Sequence, residues 1–289
     1  MRGQTLPCGP GGDNMKHKQA YLMENDEEAH RLELKTDANA VRKQALWCGV
    51  KAGLRVLDLG CGPGITTEIL HSMVGPTGSV VGADFSAERL AYAREHHGGK
   101  PGIEFVQCDL TGPIEGLGQF DVIWMRFVLE YFRKESPEIV RRLRGLLKPG
   151  GYLCLIDLDC NCLGHYEMPE PMNALLPKLM TCMDEEFNFD TFAGRKLYSY
   201  LYDQKYQNIE VELMAHHLIY GEARHADVFN WLKKVEIGTE KMQFFFKDYP
   251  GGAEAFIADF RKFFLDPRRF TYTPLILCKG LRPHDDAAG

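Results

Sequence analysis

Three glycines alternate at Gly60, Gly62 and Gly64, directly after the apolar run Val56-Leu57-Asp58-Leu59, and an aspartate, Asp84, lies 24 positions beyond the first of them. Glycine has no Cβ, so such a loop turns tightly and lets a ligand lie against its backbone. A carboxylate at about Asp84's distance, at the end of the next apolar run, accepts the two hydroxyls of a ribose. These residues therefore point to the binding of an adenosine-containing cofactor. The nicotinamide fingerprint G-x-G-x-x-G/A is not met, because its third small position falls on Ile65. The spacing G-x-G-x-G suits a cofactor that need not carry a pyrophosphate. Cys160, Cys162 and His165 form the nearest approach to a metal signature, but their spacing matches no usual zinc pattern and no C-x-x-C pair exists, so no metal is expected.

The elements that must position these residues alternate. Apolar strand-like runs are expected near 56–59, 79–84, 103–107, 120–125 and 152–158. Between them lie helical spacings (Ile65, Ile69, Leu70, Met73), an N-cap serine at Ser86, a helix start at Ser136-Pro137-Glu138 with Ser136 as N-cap, and a stop at Lys148-Pro149-Gly150-Gly151. Strands separated by helices imply βαβ units and a parallel sheet with helices on both faces, whose ligands collect at the carboxyl ends of the strands. After Asp159 the pattern turns irregular: helical over 171–186 and 194–202, strand-like over 208–220, mostly helical over 223–265 with breaks at Gly238 and Pro250-Gly251-Gly252, and strand-like again over 270–280. The stretch 21–47 has charge-rich helical spacing and is expected to pack over the sheet.

Composition excludes several classes. The 289 residues carry 34 Lys+Arg against 40 Asp+Glu, a net charge of -6, and no basic block, so neither nucleic acid nor an anionic membrane is an expected partner. No apolar run reaches the length of a bilayer span, and residues 1–14 are Gly-rich and polar without a secretory h-region. The nine cysteines are odd in number and irregular in spacing, which reads as free thiols in a reducing, cytoplasmic setting.

Five segments in order then carry a resemblance: Val56-Leu57-Asp58-Leu59-Gly60-Cys61-Gly62-Pro63-Gly64, Val81-Gly82-Ala83-Asp84, Phe105-Val106-Gln107-Cys108-Asp109-Leu110, Phe120-Asp121-Val122-Ile123-Trp124-Met125-Arg126 and Leu147-Lys148-Pro149-Gly150-Gly151. Together they resemble the motifs of class I S-adenosylmethionine (SAM)-dependent methyltransferases, within that family most nearly the ubiquinone/menaquinone-type and natural-product small-molecule branch. The resemblance implies an α/β fold: a doubly wound, mostly parallel, seven-stranded Rossmann-like sheet with a helical cap. The expected organisation is a disordered amino terminus (1–14), a helical lid (15–47), a SAM-binding core (48–160), a cap that includes strand six (161–268), and a last strand and tail (269–289). The resemblance further implies that Gly60, Gly62 and Gly64 line the methionine and ribose portion of SAM, Asp84 holds the ribose hydroxyls, Phe85 packs on the adenine, and Asp109 and Leu110 meet its edge. Arg126 would lie near the carboxylate end or the substrate, and Tyr21 and Arg31 would close the pocket.

Methyl transfer needs alignment and exclusion of water, and needs a base only where the acceptor must lose a proton. Candidates for such a base are His165, Tyr166, His216 and His217; the last two alternate sides of a strand, so at most one is expected to face the pocket. Phe256, Phe260, Phe263 and Phe264 share one helix face, and an aromatic-rich cap suits an apolar or aromatic small-molecule acceptor. Trp124-Met125-Arg126-Phe127 stands where amino-methylating DNA enzymes of the family carry Asn/Asp-Pro-Pro-aromatic, which counts against that substrate. The alternatives are a metalloid or thiol methyltransferase using Cys160 and Cys162, a magnesium-assisted catechol type through Asp157 and Asp159, a NAD-dependent oxidoreductase, and a non-catalytic SAM-binding module. Sequence leaves the acceptor atom and the oligomeric state open.

Overall fold

The computed structural model describes residues 36–284. Its centre is an eight-stranded sheet: β1 (Arg55–Leu59), β2 (Ser79–Asp84), β3 (Ile103–Gln107), β4 (Phe120–Arg126), β5 (Leu147–Leu158), β6 (His165–Tyr166), β7 (Gln207–Ile219) and β8 (Phe270–Leu281). The order is β3-β2-β1-β4-β5-β8, with the first five strands parallel and β8 antiparallel to β5. Strand β7 adds to the far edge of β8, again antiparallel. Seven of these strands are those expected. The eighth, β6, is a two-residue pairing of His165–Tyr166 with Thr271 and Phe270, too short to leave an alternation in the sequence.

Eight α-helices are present among the described residues. Helices α1 (Ala38–Trp47) and α2 (Ile65–Val74) cover one face, where Val41, Ala45, Ile69 and Leu70 pack on Val56, Val80, Val122 and Ile156. On the opposite face α4 (Ser136–Leu143) and α6 (Leu197–Asp203) bury Ile139, Leu143, Leu197 and Leu201 against Leu57, Ile123, Leu153 and Leu155. Neighbouring residues of one strand, Val56 and Leu57, thus serve opposite layers, as the two-residue period of a strand demands. Helix α3 (Ala87–His97) follows β2 and is capped by Ser86, whose Oγ accepts from the Arg89 N–H.

Three local expectations need correction. Ser136 does not cap α4; it is the first helical residue, with Glu135 in the cap position, and its buried Oγ donates to the carbonyls of Leu129 and Phe132 in the turn that precedes the helix. Strand β5 does not begin after Lys148-Pro149-Gly150-Gly151 but runs through it, with Leu147 pairing Phe120 across an irregularity in the β4 register. Gly238 does not break its helix: α7 (His225–Lys241) passes through it and ends at Met242, while Gly251, at φ 84°, opens α8 (Gly252–Leu265). One glycine in a helix costs only about 1 kcal/mol against alanine, which packing readily offsets.

The cap is built from part of the chain between β5 and β8. Helix α5 (Met172–Glu186), α7 and α8 enclose a second apolar core containing Met180, Met183, Trp231, Phe256 and Phe260. The aromatic stripe of α8 is its centre: Phe260 stacks on Phe264 at 5.7 Å and lies 6.2 Å from Trp231. Helix α6 belongs instead to the main sheet, and β7 joins the sheet edge while its residues His217 and Ile219 meet the cap.

Candidate functional site

A cavity of about 230 Å³ opens where the parallel strands end, and it extends without interruption from the glycine loop into the cap. Gly60, Gly62 and Arg126 line its core side; Met183, Trp231 and Phe260 line its cap side.

The glycine loop is shaped by conformation and by close approach. Gly60 sits at φ 73°, and a Cβ there would stand 2.3 Å from Val128 Cγ2. Gly64, at φ 92°, caps α2 with its own Cβ position 2.9 Å from Ala93 Cβ and Phe105 Cζ, so it serves packing and does not line the cavity. Asp84 is buried behind the loop. Its Oδ2 accepts from the Gly62 N–H at 2.9 Å, its Oδ1 from the Ser86 N–H at 2.9 Å, and the Arg89 guanidinium stands 3.2 Å from Oδ1. Asp84 therefore ties the loop to the start of α3, and it does not line the cavity. Phe85 is 51% exposed beside it. Asp109 Oδ1 accepts from the Thr111 N–H and Oγ1, and Leu110 is buried in the sheet core. Phe85, Asp109 and Leu110 also lie outside the lining. Tyr21 and Arg31 lie outside the described residues.

Two charged side chains meet at the core end. Asp58, in β1, is fully buried, accepts from Thr67 Oγ1 at 2.7 Å, and lines the cavity. Burial pushes its carboxyl up to about 7, with the Thr67 hydroxyl and the charge of Arg126 opposing and that of Asp84 adding. Arg126 ends β4 with its guanidinium 4.0 Å from the centre of the Phe127 ring, and burial lowers it to about 10 against the pull of Asp58 and Asp157. Its Nε is buried with no hydrogen-bond partner among the described residues. An orphaned guanidinium N–H beside a backbone cradle and a buried carboxyl fits the charged amino-acid end of SAM. In the sequence Asp58 stands out only as part of the motif; its place near the end of a buried strand beside the glycines is the available signal.

The cap end carries a different polar set. His165 Nδ1 lies 2.9 Å from Thr271 Oγ1, while its ring meets Trp231 edge-on at 5.1 Å. Burial, assisted by the charge of Lys234, lowers the imidazole to about 4, so it is neutral. Its Nε2, Trp231 Nε1 and Asn230 Oδ1 are buried without partners among the described residues, and all three residues line the cavity. His217 lines it too, whereas His216 does not; a register shift between Ala215 and His217 leaves the two rings only 4.2 Å apart. Tyr166 is exposed and away from the lining.

A relay joins the two ends. Lys234 Nζ donates to Asn161 Oδ1 at 3.1 Å, and Asn161 Nδ2 donates to Glu130 Oε2 at 2.9 Å. Glu130 lies in the turn after β4, Asn161 in the loop after β5 and Lys234 on α7. None of the three stands out by motif. The signal that could have found Lys234 is its phase, because Trp231, Val235, Gly238 and Met242 form the lining face of α7 and Lys234 falls on it three residues after Trp231.

Cys160 and Cys162 are set apart by their partners. Cys160 Sγ accepts from the Arg195 guanidinium at 3.3 Å, in a site where Arg195 also pairs with Asp159, and only Cys162 lines the cavity. Among the described residues no group of three His, Cys, Asp or Glu side chains is placed to hold a metal ion, and no helix is long and apolar enough to cross a membrane.

Comparison with known proteins matches the same half of the molecule. Residues 56–151 match the family profile of a methyltransferase domain. The ubiquinone/menaquinone biosynthesis C-methyltransferase UbiE of Hahella chejuensis is 31% identical over 144 residues, covering 46% of this chain and 57% of its own. The 2-phytyl-1,4-naphtoquinone methyltransferase of Thermosynechococcus vestitus is 35% identical over 113 residues, covering 39% and 50%. The chain thus spans about half the length of these curated relatives. Among solved structures, Haemonchus contortus phosphoethanolamine N-methyltransferase 2 in complex with SAM superposes with a TM-score of 0.55 at 18% identity, over 90% of this chain and 57% of that one, which is a likeness of fold. The family profile ends at residue 151, before the cap begins.

Proposed function

We propose, from the match of residues 56–151 to a methyltransferase-domain profile, that the protein is a class I SAM-dependent methyltransferase that transfers a methyl group from SAM to a small, apolar or aromatic molecule held in the cap. The observation that carries this reading is the continuity of the cavity: one void touches the glycine loop at one end and Trp231, Phe246, Phe256 and Phe260 at the other. A bound sulfonium supplies an electrophilic methyl group and loses its charge in the reaction, so the protein's task is alignment and the exclusion of water.

In this reading the backbone of Gly60 and Gly62 cradles the methionine portion, Arg126 holds its carboxylate and Asp58 its ammonium. Asp84, Phe85, Asp109 and Leu110 lie outside the cavity lining, so in this reading the ribose and adenine rest beyond the loop over the ends of β2 and β3, with Asp84 offering the ribose hydroxyls the lone pairs left over from Gly62 and Ser86. Gly64 shapes the loop from behind. The Met- and Phe-lined chamber desolvates the acceptor. His165, uncharged at neutral pH, offers its free nitrogen to an acceptor hydroxyl, which makes it the best-placed of the histidines. The named relatives are a C-methyltransferase of ubiquinone/menaquinone biosynthesis and a 2-phytyl-1,4-naphtoquinone methyltransferase, which supports an aromatic acceptor.

The test is calorimetric unfolding with SAM, S-adenosylhomocysteine, NAD and NADP in parallel. A ligand at 100 times its dissociation constant adds about 2.7 kcal/mol to stability. Stabilisation by the first two alone is expected; stabilisation by the nicotinamides alone would overturn the reading. Binding of SAM without turnover on any aromatic acceptor would favour a non-catalytic module.

A further inference from the structure

The relay from Glu130 through Asn161 to Lys234 places an ammonium group in the wall of a chamber built largely from methionines and aromatic rings. Lys234 Nζ stands 5.3 Å from the centre of the Trp231 ring and uses one of its three N–H donors on Asn161. Its other two have no hydrogen-bond partner among the described residues. The position is telling: Asn161 and Glu130 belong to the loops after β5 and β4, so the ammonium sits at the seam between the half that would hold SAM and the half that would hold the acceptor. Lys234 is half-buried, where a counter-charge stabilises an ammonium, and among the described residues the Glu130 carboxylate meets it through the Asn161 amide.

The geometry also limits what that counter-charge is. Recognition of a whole carboxylate favours the two-pronged guanidinium, whereas a lysine ammonium is a point charge suited to one oxygen. Met180, Met183, Phe189, Phe256 and Phe260 offer apolar surface around it, and the other polar atoms of this end, on His165, Asn230 and Trp231, carry no formal charge. We propose that Lys234 selects an acceptor with a single acidic hydroxyl on an apolar, planar body and holds it as the oxyanion next to the methyl donor. This rests on the methyltransferase reading above. The acceptor's O–H proton leaves to solvent on binding. The oxyanion, or a ring carbon conjugated to it, then bonds to the methyl carbon as the carbon–sulfur bond breaks with its electron pair going to sulfur. An anion and a sulfonium thereby become two neutral molecules; for a carbon acceptor the ring carbon then gives its proton to solvent and the oxygen regains one, which leaves the methylated ring neutral. No side chain has to remove the proton in the transition state, which suits a chamber whose one well-buried imidazole is kept weakly basic. Lys234 is thus the catalytic contact and Asn161 the positioning residue. The titratable groups facing this point are His165 after β5, His217 on β7, Glu130 after β4 with Asp157 behind it, and Arg269 beyond His165.

The experiment binds 4-nitrophenol and its methyl ether 4-nitroanisole to the full chain in the presence of S-adenosylhomocysteine, and reads the phenolate absorption of bound nitrophenol against pH. The expected result is that nitrophenol binds at least about tenfold more tightly than nitroanisole near neutral pH, and that its apparent pKa when bound falls by about one unit or more below that in free solution. Lys234→Met should abolish both effects and Lys234→Arg should keep the pKa shift, with circular dichroism confirming that each variant is folded. If both probes bind but nitrophenol ionises as it does in water, or if K234M shifts it equally, the role of Lys234 is overturned while the apolar chamber stands. If neither probe binds, the aromatic-acceptor reading itself fails and the role of Lys234 with it.

Discussion

Asp58 and His165 occupy opposite ends of one cavity, and burial moves both towards their uncharged forms, with opposite consequences for pH. Asp58 titrates near 7 in the folded chain, above its ordinary value of 3.8. A raised carboxyl contributes stability that is fully present below about pH 4 and is lost as pH rises through 7. Asp58→Asn, which can keep the Thr67 hydrogen bond, should therefore gain stability relative to the parent as pH rises from 5 to 8, by roughly 1–3 kcal/mol. Unfolding at the two pH values checks this, and an equal difference at both would contradict it. His165 is depressed from 6.5 to about 4, so its contribution is present above 6.5 and lost as pH falls towards 4. His165→Asn should remove a stability loss of about 1–3 kcal/mol over that interval, visible in urea unfolding at pH 7 and pH 4.5. At this scale the sequence was informative where chemistry is local. Gly60, Gly62 and Arg126 meet at the cavity because a strand end fixes its own loop. Lys234 and Asn161 were illegible because their pairing joins residues 73 positions apart, a proximity only the folded cap creates.

At the scale of elements, α7 and α8 carry the cavity's character. Gly238 lies mid-helix on the lining face, and a Cβ there would meet nothing within 4 Å. Gly238→Ala should then stabilise the fold by about 0.5–1 kcal/mol through helix propensity while narrowing the chamber. Paired unfolding and acceptor-affinity measurements should therefore move in opposite directions. Phe260→Ala should cost about 3–5 kcal/mol, because the ring is fully buried against His165, Trp231, Phe256 and Phe264; chemical denaturation measures it. The βαβ elements were readable because each repeats a short apolar period and ends at a glycine or a cap. The misread points were those where packing overrides local signals. Gly238 was carried inside a helix by its neighbours' burial, Ser136 was drawn into hydrogen bonds with the preceding turn, and β6 exists only because β8 lies alongside it.

For the whole molecule, the distribution of thiols gives a global probe. Cys48, Cys61, Cys108, Cys154, Cys182 and Cys278 are buried, and Cys160 and Cys162 are half-buried. Among the described residues a thiol reagent should label Cys160 and Cys162 in the native state and the other six only on unfolding, which mass spectrometry of labelled peptides would show. The overall architecture followed from five motifs in linear order, since a parallel sheet built from consecutive units largely dictates its own layering. The cap's presence and its aromatic stripe were legible too, but the packing of its helices was not, because they are amphipathic in the ordinary way and nothing local says which face meets which. Two of the chain's three tryptophans line the cavity, one from the sheet and one from the cap. Trp124 closes the core end of the cavity, Trp231 walls the cap end at 4% exposure, and Trp47 stands apart on α1 beneath Lys279. The molecule thereby carries its own optics: an indole emitter at each end of the cavity and a third outside it. A coloured aromatic guest lodged in the cap lies nearest Trp231 and draws excitation from that ring most strongly, so the light the protein emits reports which half has been filled.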